Sequence, residues 1–239
     1  MTSRAPFKEN KVFSDSNIIS ALTADDPSTE MALKTTRWLK NRAYDYAYDN
    51  GWSPTKFDAI AELTDDEWLT YRKIWRQAIG NTPWIRNIQR SETTISAEIK
   101  NADFLMLISA LADKETAISL HIKKLLEFII LLKERTGAQS MLNSFFSHAT
   151  EDNRTANTIL MPIVRSHGVL NGSIISLGIN SKEAGWMLKL KNNFLGAKLD
   201  VQVKFQFIVY DYYDDVWESK GVNATSKTDM NNMQIFDFL

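Results

Sequence analysis

No cysteine occurs anywhere in the chain. That excludes disulfides, a thiolate nucleophile and cysteine-ligated zinc. It also makes folding indifferent to the redox state of the compartment, which a translocated protein must survive. An excess of positive charge is missing too. Lys and Arg number 28 against 29 Asp and Glu, and the formal net charge is −1. A nucleic-acid binder carries a concentrated basic face, and this balance implies none, so nucleic acid is not an expected partner. Nor is any apolar run long enough to cross a bilayer. The most apolar helix candidate holds LLEFIILL at 125–132 between Lys123, Lys124, Lys133 and Glu134. Eight residues make about 12 Å of helix, and a span needs roughly 20 residues. No transmembrane segment is expected; this is a core helix, with insertion into a membrane as the rival reading. Residues 1–27 show no uninterrupted apolar core, so no signal peptide is read there. The P-loop, the dinucleotide glycine pattern, the HExxH zinc motif and the EF-hand loop are all missing.

What the chain has is an ordinary globular make-up, 44% hydrophobic and 24% charged over 239 residues. Residues 1–27 read as a poorly ordered or extended segment. Residues 28–158 read as a helical region. A first helix covers 28–48 and ends at Asn50-Gly51. Thr64 and Glu67 have the spacing of a capping box, and Asp65 and Asp66 favour the positive end of the helix they open. Trp68, Leu69, Ile74, Trp75 and Ile79 follow at helical spacing, and Gly80 stops the helix. One or two further helices are expected over 98–136. Phe104, Leu107, Ile108 and Leu111 form one apolar stripe. Asp113 would cap a second helix carrying Ile118, Ile122, Leu125, Phe128 and Ile129.

From residue 159 the texture changes. ILMPIV, GSIISLGIN, GWMLKLKNNF and KLDVQVKFQFIVY are short segments rich in β-formers. In the last, Leu199, Val201, Val203, Phe205, Phe207 and Val209 share one face, and Asp200, Gln202, Lys204 and Gln206 the other. That predicts an antiparallel strand with one wet face. The fold class is therefore α+β: a helical N-terminal half packed on an antiparallel β-rich region at 159–239, as one continuous domain. The tail after Gly221 is polar, and IFDFL at 235–239 is expected to tuck back onto the body.

The candidate site is the end of that strand, where Tyr210, Asp211, Tyr212, Tyr213, Asp214 and Asp215 follow one another. Continued alternation would put Asp211 and Tyr213 on the face of Val209. Partial burial and neighbouring carboxylates raise a carboxyl pKa. Such a cluster could activate water, or could hold a divalent metal such as Mg or Ca through Asp211, Asp214 and Asp215. Ordinary strand-end turn chemistry accounts for the same residues equally well. Of the three histidines, His121 is expected on a helix, at the surface or partly buried. His148 follows Ser147, and His167 lies in a turn before the β region, from where it could reach the acidic cluster. Trp52, Trp84 and Trp217 fall in or near loops and are candidates to line a groove for a sugar, lipid or protein.

The C-terminal third resembles the catalytic domain of colicin M-type bacteriocins. Asp211, Tyr213 and Asp214 reproduce that family's Asp-x-Tyr-Asp after a strand. The family follows this, six residues past the last Asp, with His-Arg; here Lys220 and Gly221 stand there. The resemblance implies a phosphodiesterase acting on a lipid-linked cell-envelope precursor. Asp211 would be nucleophile or base, Asp214 a metal ligand or second base, and Tyr213 a hydrogen-bond donor to phosphate. His167 or Lys220 would be the electrostatic partner. The same third is similar to an uncharacterised enterobacterial domain family associated with secreted effectors, through GWMLKL, VQVKFQFIVYD and Asp215. The expectation is an antibacterial effector or bacteriocin-like toxin, made in a bacterial cytoplasm and secreted to act in a target periplasm. Its partner would be a lipid-linked envelope precursor or a protein. The rival expectations are a non-enzymatic binding or immunity protein, and a membrane-active pore-forming toxin.

Overall fold

A computed structural model describes residues 17–20, 28–58, 63–138, 142, 146, 148–149, 154–225 and 235–237. Its elements run β1 (Asn17–Ser20), α1 (Ser28–Asp49), α2 (Pro54–Asp58), α3 (Asp65–Gly80), β2 (Ile85–Arg90) and β3 (Ile95–Ala102). Then follow α4 (Phe104–Ala112), α5 (Thr116–Thr136), β4 (His148–Ala149), β5 (Thr155–Ser166), β6 (Val169–Ser181), α6 (Trp186–Asn192), β7 (Leu199–Tyr212) and β8 (Ile235–Asp237). A short helical stretch over 214–225, with a π turn at Trp217–Gly221, follows β7.

The fold is α+β, built round one sheet in the order β2-β7-β6-β5-β1-β8. Strands β5, β6 and β7 are antiparallel and carry the sheet. Both β2 and β3 pair with β7, one after the other, so together they make one interrupted edge strand. On the far side β1 pairs parallel with β5, and β8 parallel with β1. The β5–β6 hairpin turns through His167 (φ 50°) and Gly168 (φ 81°), the left-handed pair that a two-residue turn requires.

Each face of the sheet has its own core. On one face α4, α5 and α6 bury Phe104, Leu107, Ile118, Ile122, Leu125 and Trp186 against the odd-numbered residues of β7 from Leu199 to Val209. On the other, α1, α2 and α3 bury Leu39, Phe57, Ile74 and Trp75 against Ile163, Ile174, Ile208 and Tyr210. The molecule is three layers, helix on sheet on helix. Each fully buried aliphatic or aromatic side chain contributes roughly 1.5–3 kcal/mol.

Several expectations stand and several are corrected. The capping box at Thr64 and Glu67 is formed, with Thr64 Oγ1 accepting from the Glu67 N–H at 3.3 Å and Glu67 Oε2 accepting from the Thr64 N–H at 2.9 Å. The stretch 28–158 is not purely helical, because β2 and β3 lie within it. GWMLKLKNNF is not a strand: Trp186–Asn192 is helix α6, opened by Gly185 at φ 77°. Asp113 does not cap α5; it closes α4, and α5 begins after Glu115. The second face of β7 is wet only in its first half, since Ile208, Tyr210 and Tyr212 are buried under α1 and α3. Within 1–27, Asn17–Ser20 is a strand, and Ile235–Asp237 does return to the body, beside it. The rest of both termini, and most of 139–153, lie outside the described residues.

Candidate functional site

The strand end is dispersed rather than gathered. Asp211 is half-buried and accepts hydrogen bonds from Asn171 Nδ2 (2.5 Å) and Asn87 Nδ2 (2.7 Å). Asn171 is its partner across the β6–β7 ladder, and Asn87 adopts a left-handed φ of 50° in β2. Tyr213 lies outside the strand, with the Arg86 guanidinium 4.2 Å above its ring. Asp214 and Asp215 sit exposed in the helical turn that follows. Among the described residues no three His, Asp or Glu side chains come together as a metal site, so Asp211, Asp214 and Asp215 are not assembled into one. His167 is at the same end of the sheet, exposed, with Nδ1 3.0 Å from Ser166 Oγ. Lys220 is exposed in the π turn. The other two tyrosines are anchors: burial pushes both the Tyr210 and Tyr212 hydroxyls above their usual range. The loop tryptophans line no groove. Trp52, Trp84 and Trp217 are all buried, and Trp84 Nε1 donates to Thr35 Oγ1 at 2.9 Å.

The feature that organises the molecule lies along β5, β6 and β7 instead. Their register sets side chains in rows across the three strands. Ala156–Ile179–Val203, Thr158–Leu177–Phe205 and Leu160–Ile175–Phe207 point to the face covered by α4, α5 and α6. Between them, Thr155–Asn180–Gln202, Asn157–Gly178–Lys204 and Ile159–Ser176–Gln206 point the other way. Over this half the sheet is apolar on one face and largely polar on the other. The strands are 12, 13 and 14 residues long. A tilted strand needs about 9–11 residues to cross a bilayer.

The layer over the apolar rows also exposes apolar side chains, among the charges of α5. Helix α4, FLMLISALA, contains no charged residue, and Met106 is 55% exposed. Leu120 and Ile130 are exposed on α5. One polar contact pins this layer at its centre. His121, expected at the surface or partly buried, is on the buried side of α5 at 2% exposure. Its Nδ1 is 2.9 Å from Ser173 Oγ, and the ring also bonds the carbonyl of Pro162. Pro162 has no N–H to give to the ladder, and the β5–β6 register skips Met161 and Pro162, while β1 still pairs with them on the other side. Burial lowers the His121 pKa to about 4, against a smaller upward pull from the Pro162 carbonyl.

No model of a known protein family matches the chain, and no curated protein does. Solved structures do. The activated Cyt2Ba monomer from Bacillus thuringiensis subsp. israelensis is similar with a TM-score of 0.51 and 9% identity, over 83% of this chain and 97% of that one. A structure named delta-endotoxin is similar with a TM-score of 0.50 and 10% identity, over 99% of both chains. The Evf virulence factor reaches a TM-score of 0.42 and 9% identity, over 93% of this chain and 82% of that one. At such identities the first two likenesses are likenesses of fold.

Proposed function

We propose that this chain is a protein toxin that acts on lipid membranes. In this reading the α4–α5–α6 layer lifts from the sheet and the amphipathic ribbon β5–β6–β7 enters the bilayer. The observation that carries it is the row pattern: over one half of three strands of 12, 13 and 14 residues, apolar rows on the covered face alternate with largely polar rows on the other. That is the outward-apolar, inward-polar alternation of a membrane β-barrel. Helices are the poorer candidates for crossing, because no described helix is long and apolar enough. Of the two structures that share the fold, one bears the name delta-endotoxin, which supports the same reading.

The energetics are favourable because the apolar rows exchange one apolar neighbour for another. Side chains such as Phe205 and Leu177 leave the helices and meet acyl chains, so little hydrophobic contact is lost. The uncharged α4, with Met106 outward, offers apolar side chains to the boundary between headgroups and acyl chains. Three strands leave two open edges, and unpaired N–H and C=O groups are not tolerated in hydrocarbon. Several copies must therefore assemble before the ribbon can close. The test is release of an entrapped dye from phospholipid vesicles by the purified chain. Release that rises more steeply than linearly with protein concentration is expected. Vesicles that stay sealed at both neutral and acid pH, in the presence of folded protein, would overturn the reading.

A further inference from the structure

Helix α3 sets Arg72, Lys73 and Arg76 along one wall of a cavity of about 240 Å³, and Arg90, at the end of β2, faces them. The floor is the sheet, through Ile174, Ser176, Gln206 and Ile208. Glu92 is the one carboxylate on the wall, and it is 82% exposed, 3.8 Å from Arg90. Four cations thus meet one carboxylate in a chain whose net charge is −1. Among the described residues, neither Lys73 nor Arg76 has an acidic partner.

The charges are held, not merely adjacent. Arg72 Nη2 donates to the Ser91 carbonyl at 2.5 Å and also to the Glu92 carbonyl. That fixes the guanidinium and leaves Nη1 and Nε without partners among the described residues. Burial, and then repulsion from Arg90 and Arg76, lower the Arg72 pKa, while Glu92 raises it. On the same wall Trp75 is buried and its indole Nε1 has no hydrogen-bond partner. Like charges drawn together cost stability, and an anion among them relieves that cost.

We propose that this cavity binds a phosphate group, with Arg72 as the fixed donor and Lys73, Arg76 and Arg90 closing round it. With Nη2 taken by the two carbonyls, Arg72 can give a phosphate single hydrogen bonds from Nε or Nη1, and the guanidinium of Arg76 can supply a bidentate pair. Leu69, Ile174 and Ile208 beside the cations suit the hydrocarbon next to a phosphodiester. A phospholipid headgroup and a free phosphate share the chemistry. The choice of a lipid rests on the membrane reading, and the phosphate site itself does not.

The test is titration calorimetry of the full chain with two probes: inorganic phosphate, and dihexanoyl phosphatidylglycerol below its micelle threshold. Saturable binding is expected, weakened about tenfold by Arg76→Gln, the loss of one charge-assisted contact. Lys100→Gln, a control on the exposed β3 edge, should leave it unchanged. Lipid binding that phosphate displaces only weakly supports the site with a headgroup as ligand. Phosphate binding of equal strength supports the site with a free phosphate as ligand. No binding of either probe, or binding untouched by Arg76→Gln, overturns the proposal. Dye release from phosphatidylcholine vesicles, measured on the same variants, separates the two readings: release that persists while neither probe binds removes the site and leaves the membrane reading standing.

Discussion

Acid should loosen the helical layer through His121. Folded, the imidazole is neutral and buried, with its pKa lowered to about 4. Unfolded, it returns to about 6.5. Between those values the unfolded chain binds more protons than the folded one, so stability falls as pH falls. The stabilisation is intact above about pH 6.5 and is lost progressively down to about pH 4. A difference of about 2.5 units corresponds to roughly 3 kcal/mol, of which about 2 kcal/mol is gone by pH 4.5. The loss falls at the contact that pins α5, because the charged ring is buried there and Nδ1 must turn from acceptor to donor toward Ser173 Oγ. The assay is urea unfolding of the wild type and His121→Asn at pH 7 and pH 4.5. The variant is less stable at pH 7 and loses about 2 kcal/mol less on acidification. Parallel losses in both proteins would refute the argument. Glu67 does not confuse the window: its pKa is lowered to about 2 by the Lys56 ammonium, then by Thr64, so its contribution is lost only as pH falls from about 4.5 toward 2.

Three further outcomes are expected. Thr64→Ala removes the oxygen that caps α3 and should lower stability by about 1 kcal/mol in urea unfolding. Gly172→Ala places a Cβ 2.5 Å from the buried Tyr210 ring and should cost about 1–3 kcal/mol, with an altered near-ultraviolet circular dichroism signal. Asp211→Ala should leave dye release intact, since its carboxylate only receives the amides of Asn87 and Asn171; loss of release without loss of folding would return the strand end to a catalytic role.

How much of this was legible in the chain depends on the element. The capping box of α3 and the alternation of β7 are local signals, and both formed. The burial of His121 was legible too, had its helix been read as a wheel. It stands three residues after Ile118 and four before Leu125, on the stripe that α5 buries. Strand β3 carries a period of two at Ile95, Ala97 and Ile99, but Glu98 and Lys100 gave it the look of a helix surface. Helix α6 was hidden by the opposite accident, since Met187, Leu188, Lys189, Leu190 and Lys191 nearly alternate. Seven residues are too few for periodicity to separate helix from strand. That the polar face of β7 turns apolar at Ile208 could not be foreseen, because α1 and α3 meet it only in the folded chain. Nor could the cationic cavity: Arg72 and Arg76 are one helical turn apart, but Arg90 joins them through the pairing of β2 with β7. The strand-end acids show the limit of a short motif. Their spacing fits Asp-x-Tyr-Asp, while the helical turn after Tyr213 carries Asp214 and Asp215 off the line of the strand.

The central claim is that the ribbon β5–β6–β7 meets lipid with its covered face. A chain without cysteine permits single probes at will. Val201→Cys, Gln202→Cys, Val203→Cys and Lys204→Cys would each be spin-labelled after binding to vesicles. Their accessibility to oxygen, which partitions into lipid, would be compared with that to a water-soluble nickel chelate. The account predicts a period of two, with positions 201 and 203 reached by oxygen and 202 and 204 by nickel. Accessibility without alternation on vesicles that leak, or positions 201 and 203 shielded from both reagents as under the helices, would contradict it.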